Sequence, residues 1–94
     1  AESTPELKVE MSEGEPHPFV ETFQQQARFD GATLHTIDGV RAEFEDGFGL
    51  LRASNTTPVL VLRFEGRDEQ ALTRIQKQFR EAMLAIKPDL KLPF

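Results

Sequence analysis

The chain has 94 residues, 38% hydrophobic and 29% charged, a composition typical of one globular domain. Its 11 Lys and Arg against 16 Asp and Glu leave a formal net charge of −5, which argues against nucleic acid or an anionic membrane as a partner. The absence of cysteine excludes disulfides and thiolate metal sites, and no apolar run reaches the ~20 residues of a membrane span. We therefore expect a cytoplasmic domain.

The N-terminal segment 1–6 is polar and contains a proline, as linkers between domains do. We interpret it as a linker from a preceding domain that this sequence does not include, and we assign residues 7–94 to one domain. Residues 7–11 then alternate apolar and charged side chains, which predicts a half-buried strand.

A helix is predicted over residues 18–29. Phe19, Val20, Phe23 and Ala27 recur there at helical spacing, Pro18 suits a first turn, and Gly31 follows where glycine favours termination. The preceding residues 12–16, with one glycine and one proline, are predicted to form a loop.

Four strands are predicted next, over 32–37, 40–44, 48–53 and 58–65. Asp38-Gly39 indicates a hairpin turn, because both residues tolerate positive φ, and Glu45-Asp46-Gly47 indicates a second turn. Residues 59–62 are continuously apolar, which predicts a central strand covered on both faces.

The last predicted element is a helix over 68–86, which carries one apolar stripe. Asp68 suits its N-terminus and Pro88 its end. Antiparallel hairpins combined with two helices predict an α+β domain, an antiparallel sheet with both helices packed on one face.

The loop between the last two strands concentrates groups that suit a phosphate. Arg52 offers a charged fork of donors, Ser54, Thr56 and Thr57 offer hydroxyls, and Asn55 offers an amide. The same residue types are also ordinary in turns, because Asn and Ser bond their own backbone. Chemistry alone therefore leaves a plain β-turn and an anion site both open, with the turn favoured.

No constellation for catalysis or metal binding accompanies this loop. His17 and His35 lack a second ligand at metal-site spacing, and no serine lies in a nucleophile-elbow pattern. Glu43, Glu45 and Asp46 form an acidic cluster, which is more typical of a solvated turn than of a cation site. We therefore predict no catalytic residue and no metal ligand in this chain.

The run from Arg52 to Pro58, Arg-Ala-Ser-Asn-Thr-Thr-Pro, resembles the phosphate-binding loop of the α-D-phosphohexomutases, particularly bacterial phosphomannomutase/phosphoglucomutase. Segments 3–6, 36–41 and 46–51 resemble the linker and strands before that loop, so the likeness extends over nearly the whole chain. One departure is Phe48, where close relatives often carry Trp, a change of packing rather than of phosphate chemistry.

The resemblance implies the fourth, C-terminal domain of such an enzyme, with a TATA-binding-protein-like fold. It implies an intramolecular phosphotransferase that interconverts hexose 1-phosphate and hexose 6-phosphate of glucose or mannose through a 1,6-bisphosphate. Carried over residue by residue, it assigns Arg52, Ser54, Asn55 and Thr56, and more weakly Thr57, to the substrate phosphate.

The same resemblance places the catalytic serine and the Mg²⁺ site in the other domains of the polypeptide, so this domain alone is expected to have no cofactor and no turnover. The expected partners are the phosphosugar and those other domains, and the expected oligomeric state is a monomer. The alternative is a stand-alone α+β interaction module that binds RNA on its sheet, which requires exposed aromatics and a basic surface.

Overall fold

The computed structural model describes all 94 residues, which form a six-stranded antiparallel sheet and two helices. In chain order the elements are β1 (Glu2–Ser3), β2 (Leu7–Glu10), α1 (Pro16–Gln26), β3 (Ala32–His35), β4 (Val40–Phe44), β5 (Gly47–Ala53), β6 (Val59–Gly66) and α2 (Glu69–Ile86). The strand order is β1-β6-β5-β4-β3, and β2 pairs with β6 beside β1. The predicted α+β class is confirmed.

Both helices pack on one face of the sheet. Alternate residues of the central strands point to that face and are buried, and Leu51 lies opposite Leu62 in the register. Phe79 of α2 is fully buried among other aromatic rings, with centroids 5.2 Å from Phe64 and 5.6 Å from Phe23. Burial of this apolar face stabilises the sheet and both helices together.

Strand β6 is central, as predicted, but its predicted cover on both faces is wrong. Arg63 points away from the helices and is exposed. On the same open face Val61 is only 5% exposed, because its neighbours across the strands are Lys8 and Arg52, whose long side chains flank it. Aliphatic stems, not a second layer of structure, therefore shield this valine.

Helix α1 begins two residues earlier than predicted and ends three residues earlier. Pro16 occupies the first helical position, where its missing N–H costs nothing, so it does not belong to the preceding loop. At the other end Ala27 adopts an extended conformation with ψ 138°. This early end returns Phe29 to the core, where its ring centroid lies 4.7 Å from Phe79.

The two predicted turns are both present. In the first, Asp38 and Gly39 have φ of 58° and 117°, and five residues separate the paired His35 and Arg41, so Thr36 and Ile37 belong to the turn rather than to β3. The second turn consists of Glu45 and Asp46 alone, since Gly47 is the first residue of β5.

Helix α2 follows its prediction to within one residue. The Asp68 carboxylate accepts a hydrogen bond of 2.8 Å from the backbone N–H of Ala71, which satisfies one of the free donors at the helix start. Neither helix is both long and apolar enough to cross a membrane.

The segment assigned to a linker contacts the sheet. Glu2–Ser3 pairs with the end of β6, and Thr4 exchanges two hydrogen bonds with Phe64, one from its backbone N–H at 3.0 Å and one to its hydroxyl at 3.1 Å. The division into a linker over 1–6 and a domain over 7–94 stays a prediction.

Candidate functional site

The polar loop, residues 54–58, joins β5 to β6 at one end of the sheet. The Ser54 N–H donates to the Val59 carbonyl at 3.0 Å and closes the loop, while the Pro58 carbonyl accepts from the Met11 N–H at 2.9 Å. Two central strands and the end of β2 therefore hold the loop in place. A loop supported in this way presents its donors in a defined direction.

The Ser54 hydroxyl is the centre of this loop. It accepts from the backbone N–H groups of Thr56 and Thr57 at 3.3 Å each and from the Thr57 hydroxyl at 3.2 Å, and it lies 3.4 Å from the Thr56 hydroxyl. A hydroxyl oxygen has two lone pairs, so three donors exceed its capacity. These distances are long for O–H and N–H donors, so the hydrogen bonds are weak. A stronger acceptor could therefore replace the Ser54 oxygen as the partner of these donors.

Arg52, the last residue but one of β5, lies on the open face of the sheet beside this loop. Its guanidinium has one ion pair, a contact of 3.5 Å from Nη2 to the Glu6 carboxylate, and 41% of its side chain is exposed. Exposed pairs of this length contribute little to stability, because water screens both charges. The Arg52 charge is therefore available to a ligand that displaces one exposed glutamate.

The five predicted site residues do not all line one cavity. Arg52 and Asn55 line a groove of about 690 Å³ between the loop, the Asp38-Gly39 turn and α1, where Glu21 and Gln24 contribute polar side chains. Thr57 lines a different groove, of about 540 Å³, together with Lys8 of β2. Ser54 and Thr56 line neither of these grooves. The structure thus brings the three hydroxyls together and places Arg52 and Asn55 on one side of them.

Two neighbours of Arg52 were missed at the sequence level. Glu6 is its ion-pair partner, and Gly39 packs so closely that a Cβ there would lie 2.8 Å from the Arg52 Cβ. The contact of Gly39 with Arg52 could have been predicted from the two-residue turn at Glu45-Asp46. This turn sets the register of β4 against β5, and the register places position 39 opposite position 52. No pattern in the sequence indicates the Glu6 contact.

Two of the three carboxylates of the acidic cluster, those of Glu43 and Asp46, form ion pairs. The Arg41 guanidinium donates to Glu43 at 2.8 Å, and Arg74 donates to Asp46 at 2.5 Å; each hydrogen bond lowers the pKa of the carboxyl that accepts it. His35 lies 4.0 Å from Glu43. No three His, Asp or Glu side chains are grouped so that they could hold a metal ion.

Comparison with known proteins gives one consistent result. Residues 6–82 match the family model described as the C-terminal domain of phosphoglucomutase/phosphomannomutase. The chain is 52% identical over 93 residues to a phosphoglucomutase of Neisseria meningitidis and 46% identical over 92 residues to a phosphomannomutase/phosphoglucomutase of Pseudomonas putida. These alignments cover 97% and 98% of the chain but 20% of each relative, so the chain spans about a fifth of their length.

Among solved structures, the chain is similar to a phosphoglucomutase/phosphomannomutase family protein of Burkholderia thailandensis. The two superpose with a TM-score of 0.88 at 50% sequence identity, over all of this chain and 19% of the other. Fold, sequence and family model therefore agree over residues 6–82, which include β2 to β6, α1 and most of α2. The chain belongs to the phosphoglucomutase/phosphomannomutase family and corresponds to its C-terminal domain.

Proposed function

We propose that this domain binds the phosphate group of a phosphorylated hexose through Arg52, Ser54, Asn55, Thr56 and Thr57. The observation that carries the proposal is the surplus of donors around the Ser54 hydroxyl, where two amides and a threonine hydroxyl converge on one oxygen. A phosphate dianion presents three oxygens with several lone pairs each, and charge-assisted hydrogen bonds to it are stronger than those between neutral groups.

The arrangement of charge supports the same proposal. The free chain is acidic overall, yet Arg52 stands beside the loop with a single exposed carboxylate as its partner. A phosphate carries more charge than Glu6 and matches the planar fork of the guanidinium in two parallel hydrogen bonds. Binding would exchange the 3.5 Å pair for shorter contacts without breaking any buried interaction.

We further propose that the whole protein interconverts hexose 1-phosphate and hexose 6-phosphate of glucose or mannose, and that this domain clamps the phosphate when the domains close. Donors without a nucleophile suffice for that role, because a clamp must hold the dianion without reacting with it. Closure over the substrate would also exclude water from the transfer.

The nucleophilic serine and the Mg²⁺ would then be held by other domains of the polypeptide, since this chain corresponds to the C-terminal domain and spans about a fifth of its relatives' length. We propose a cytoplasmic monomer, with the phosphosugar and the other domains of the same polypeptide as its partners.

The RNA-binding alternative has less support. Phe48 places an aromatic ring on the open face of the sheet. The Arg41 guanidinium covers this ring, at 4.0 Å from its centroid. A sheet that binds RNA needs uncovered rings on which bases stack, together with a basic surface. Neither the covered ring nor the net charge of −5 meets that need.

Titration of the 94-residue chain with glucose 1-phosphate, followed by amide NMR shifts, tests the proposal. We expect a dissociation constant in the millimolar range, about −4 kcal/mol, with shifts centred on residues 52–57. The competing outcome is binding in the groove between the end of α1 and the side of α2, where Arg28, Arg74 and Lys77 gather. Shifts concentrated there, with the loop unaffected, would overturn the assignment.

A further inference from the structure

We infer that Gly39 is a positioning residue for Arg52, so that the turn between β3 and β4 is part of the phosphate-binding machinery. The inference rests on the proposed function of Arg52. It assigns a role to a residue outside the polar loop that has no side chain with which to bind a phosphate. Its role is to leave space for Arg52, which a side chain at position 39 would occupy.

The contact between the turn and Arg52 is steric. A Cβ built on Gly39 would lie 2.8 Å from the Arg52 Cβ, 3.1 Å from the Arg52 Cα and 2.4 Å from the Leu51 carbonyl oxygen. Distances below 3.0 Å are not tolerated between these atoms, so one of the two strands has to move. Any side chain at position 39 therefore forces the turn and the end of β5 apart at Leu51 and Arg52, just before the loop.

The displacement falls on Arg52 rather than on its neighbours. Leu51 is fully buried opposite Leu62, and Val40, fully buried as well, lies opposite Leu51 in the register. These core contacts resist movement, because close-packed interiors respond to added volume with strain. Arg52 lies on the open face at the edge of this packing, where the backbone has room to shift.

Small shifts at Arg52 matter because recognition of phosphate by a guanidinium depends on geometry. Two parallel N–H donors must meet two oxygens, so a displacement of about 0.5 Å already degrades both hydrogen bonds. On the far side, Glu6 approaches Arg52 from the chain that leads into β2. Arg52 thus has a close backbone contact with Gly39 on one side and its one ion-pair partner, the exposed Glu6 carboxylate, on the other.

A matched pair of glycine variants separates this role from ordinary turn strain. Gly39 and Gly31 both have positive φ, 117° and 80°, so Gly39→Ala and Gly31→Ala each place an L side chain in an unfavourable conformation. A Cβ on Gly31 has no atom within 4 Å, whereas one on Gly39 meets Arg52. Both variants should lose stability, and only Gly39→Ala should disturb the site.

Two readouts are measured on the 94-residue chain, the Arg52 side-chain Nε–Hε resonance and the affinity for glucose 1-phosphate. We expect Gly39→Ala to shift the Arg52 resonance before any ligand is added and to weaken binding by roughly fivefold or more. Gly31→Ala should leave both unchanged. Equal behaviour of the two variants at the site would overturn the inference.

A double-mutant cycle tests whether the effect passes through Arg52. In an Arg52→Ala background, Gly39→Ala should weaken binding no further, because the group that it misplaces is already gone. Additive losses would show a general disturbance of the loop and contradict the positioning role. If Gly39→Ala does not fold, Gly39→Asn replaces it, since Asn tolerates positive φ better and retains the Cβ.

The proposed function and this inference fail differently. Absence of phosphosugar binding by the unmodified chain would refute the function and leave the Arg52 resonance as the test of the contact with Gly39. Normal binding by the unmodified chain with no change in Gly39→Ala would refute the positioning role alone.

Discussion

The two ends of the sheet hold their charged and polar groups in opposite ways. At the end formed by the Glu45-Asp46 turn, Arg74 of α2 donates to the Asp46 carboxylate at 2.5 Å, and the Arg67 N–H donates to the Asp46 carbonyl at 2.7 Å. At the end formed by residues 54–58, Arg52 lies 3.5 Å from its carboxylate, and the hydroxyl contacts of Ser54 measure 3.2–3.4 Å.

The difference separates a charge that supports the fold from a charge that is free to bind. Arg74 connects a turn of the sheet to α2 through a short, charge-assisted hydrogen bond, which raises the pKa of Arg74 and lowers that of Asp46. Arg52 pairs with one exposed glutamate, and this ion pair does not connect the sheet to a helix. We call the end of the sheet at the Glu45-Asp46 turn the closed end, and the end at residues 54–58 the open end.

The largest effect is expected from a change in the core that supports both ends of the sheet. Phe79 packs against Gly49 in the middle of β5, the strand that runs from one end to the other. Phe79→Ala should lower the free energy of unfolding by about 3–5 kcal/mol, because it leaves a large cavity in a close-packed core. Denaturant titration measures this loss.

Phe48→Ala is the matched control for that change. Phe48 lies on β5 as well, one residue from Gly49 but on the open face, and it is only half-buried. Its loss should cost clearly less than that of Phe79. Equal losses for the two variants would mean that the helix-covered face is not the main source of stability.

A smaller effect should be confined to the closed end. Asp68→Ala removes the 2.8 Å hydrogen bond to the Ala71 N–H and should lower the free energy of unfolding by about 1 kcal/mol. Affinity for glucose 1-phosphate should not change, because the start of α2 is remote from the polar loop. A loss of affinity in the folded variant would contradict the separation of the two ends.

Ser54→Ala is expected to behave in the opposite way. The variant loses the oxygen on which the Thr56 and Thr57 donors converge, so the loop becomes less ordered before phosphate binds. We predict affinity for glucose 1-phosphate weaker by roughly threefold, with stability changed by no more than about 0.5 kcal/mol. Calorimetric titration paired with thermal unfolding measures both quantities, and a destabilised variant with normal affinity would refute the prediction.

The smallest effect concerns pH at the closed end. The hydrogen bond from Arg74 lowers the pKa of Asp46 in the folded state, so ionised Asp46 stabilises the fold above its unfolded pKa of about 3.9 and loses this contribution as the pH falls through the folded value. Asp46→Asn should be less stable than the unmodified chain at pH 7. The gap should narrow between about pH 5 and pH 2, and a gap that widens towards acid would contradict the assigned sign.

Much of the fold follows from local pattern in the sequence. The apolar stripe of α2, the cap at Asp68 and the glycine-containing turns each have a local cause, and the structure contains all of them. What shields β6 on its open face could not be predicted from local sequence. A run of four apolar residues is typical of a strand buried on both faces, whereas here Lys8 and Arg52 shield Val61 from positions distant in sequence.

The site shows the same limit. The polar run from Arg52 to Thr57 could be selected from composition and from its resemblance to a known loop, and that assignment remains a prediction. The convergence of three donors on Ser54 depends on the loop conformation, which no residue count specifies. Contacts of Arg52 with Glu6 and Gly39 depend on strand order and register, so they appear only once the sheet is assembled.

The most direct test of the account compares two arginines on the open face of the sheet. Arg52 and Arg63 lie on neighbouring strands, but only Arg52 stands beside the polar loop. Titration of Arg52→Ala and Arg63→Ala with glucose 1-phosphate should show affinity weakened about tenfold or more for the first and unchanged for the second. Arg63→Ala should be as stable as the unmodified chain to within about 0.5 kcal/mol, whereas Arg52→Ala should fold but be less stable, because its stem also shields Val61. Unchanged affinity in a folded Arg52→Ala, or an equal loss in Arg63→Ala, would contradict the assignment of the open end to phosphate.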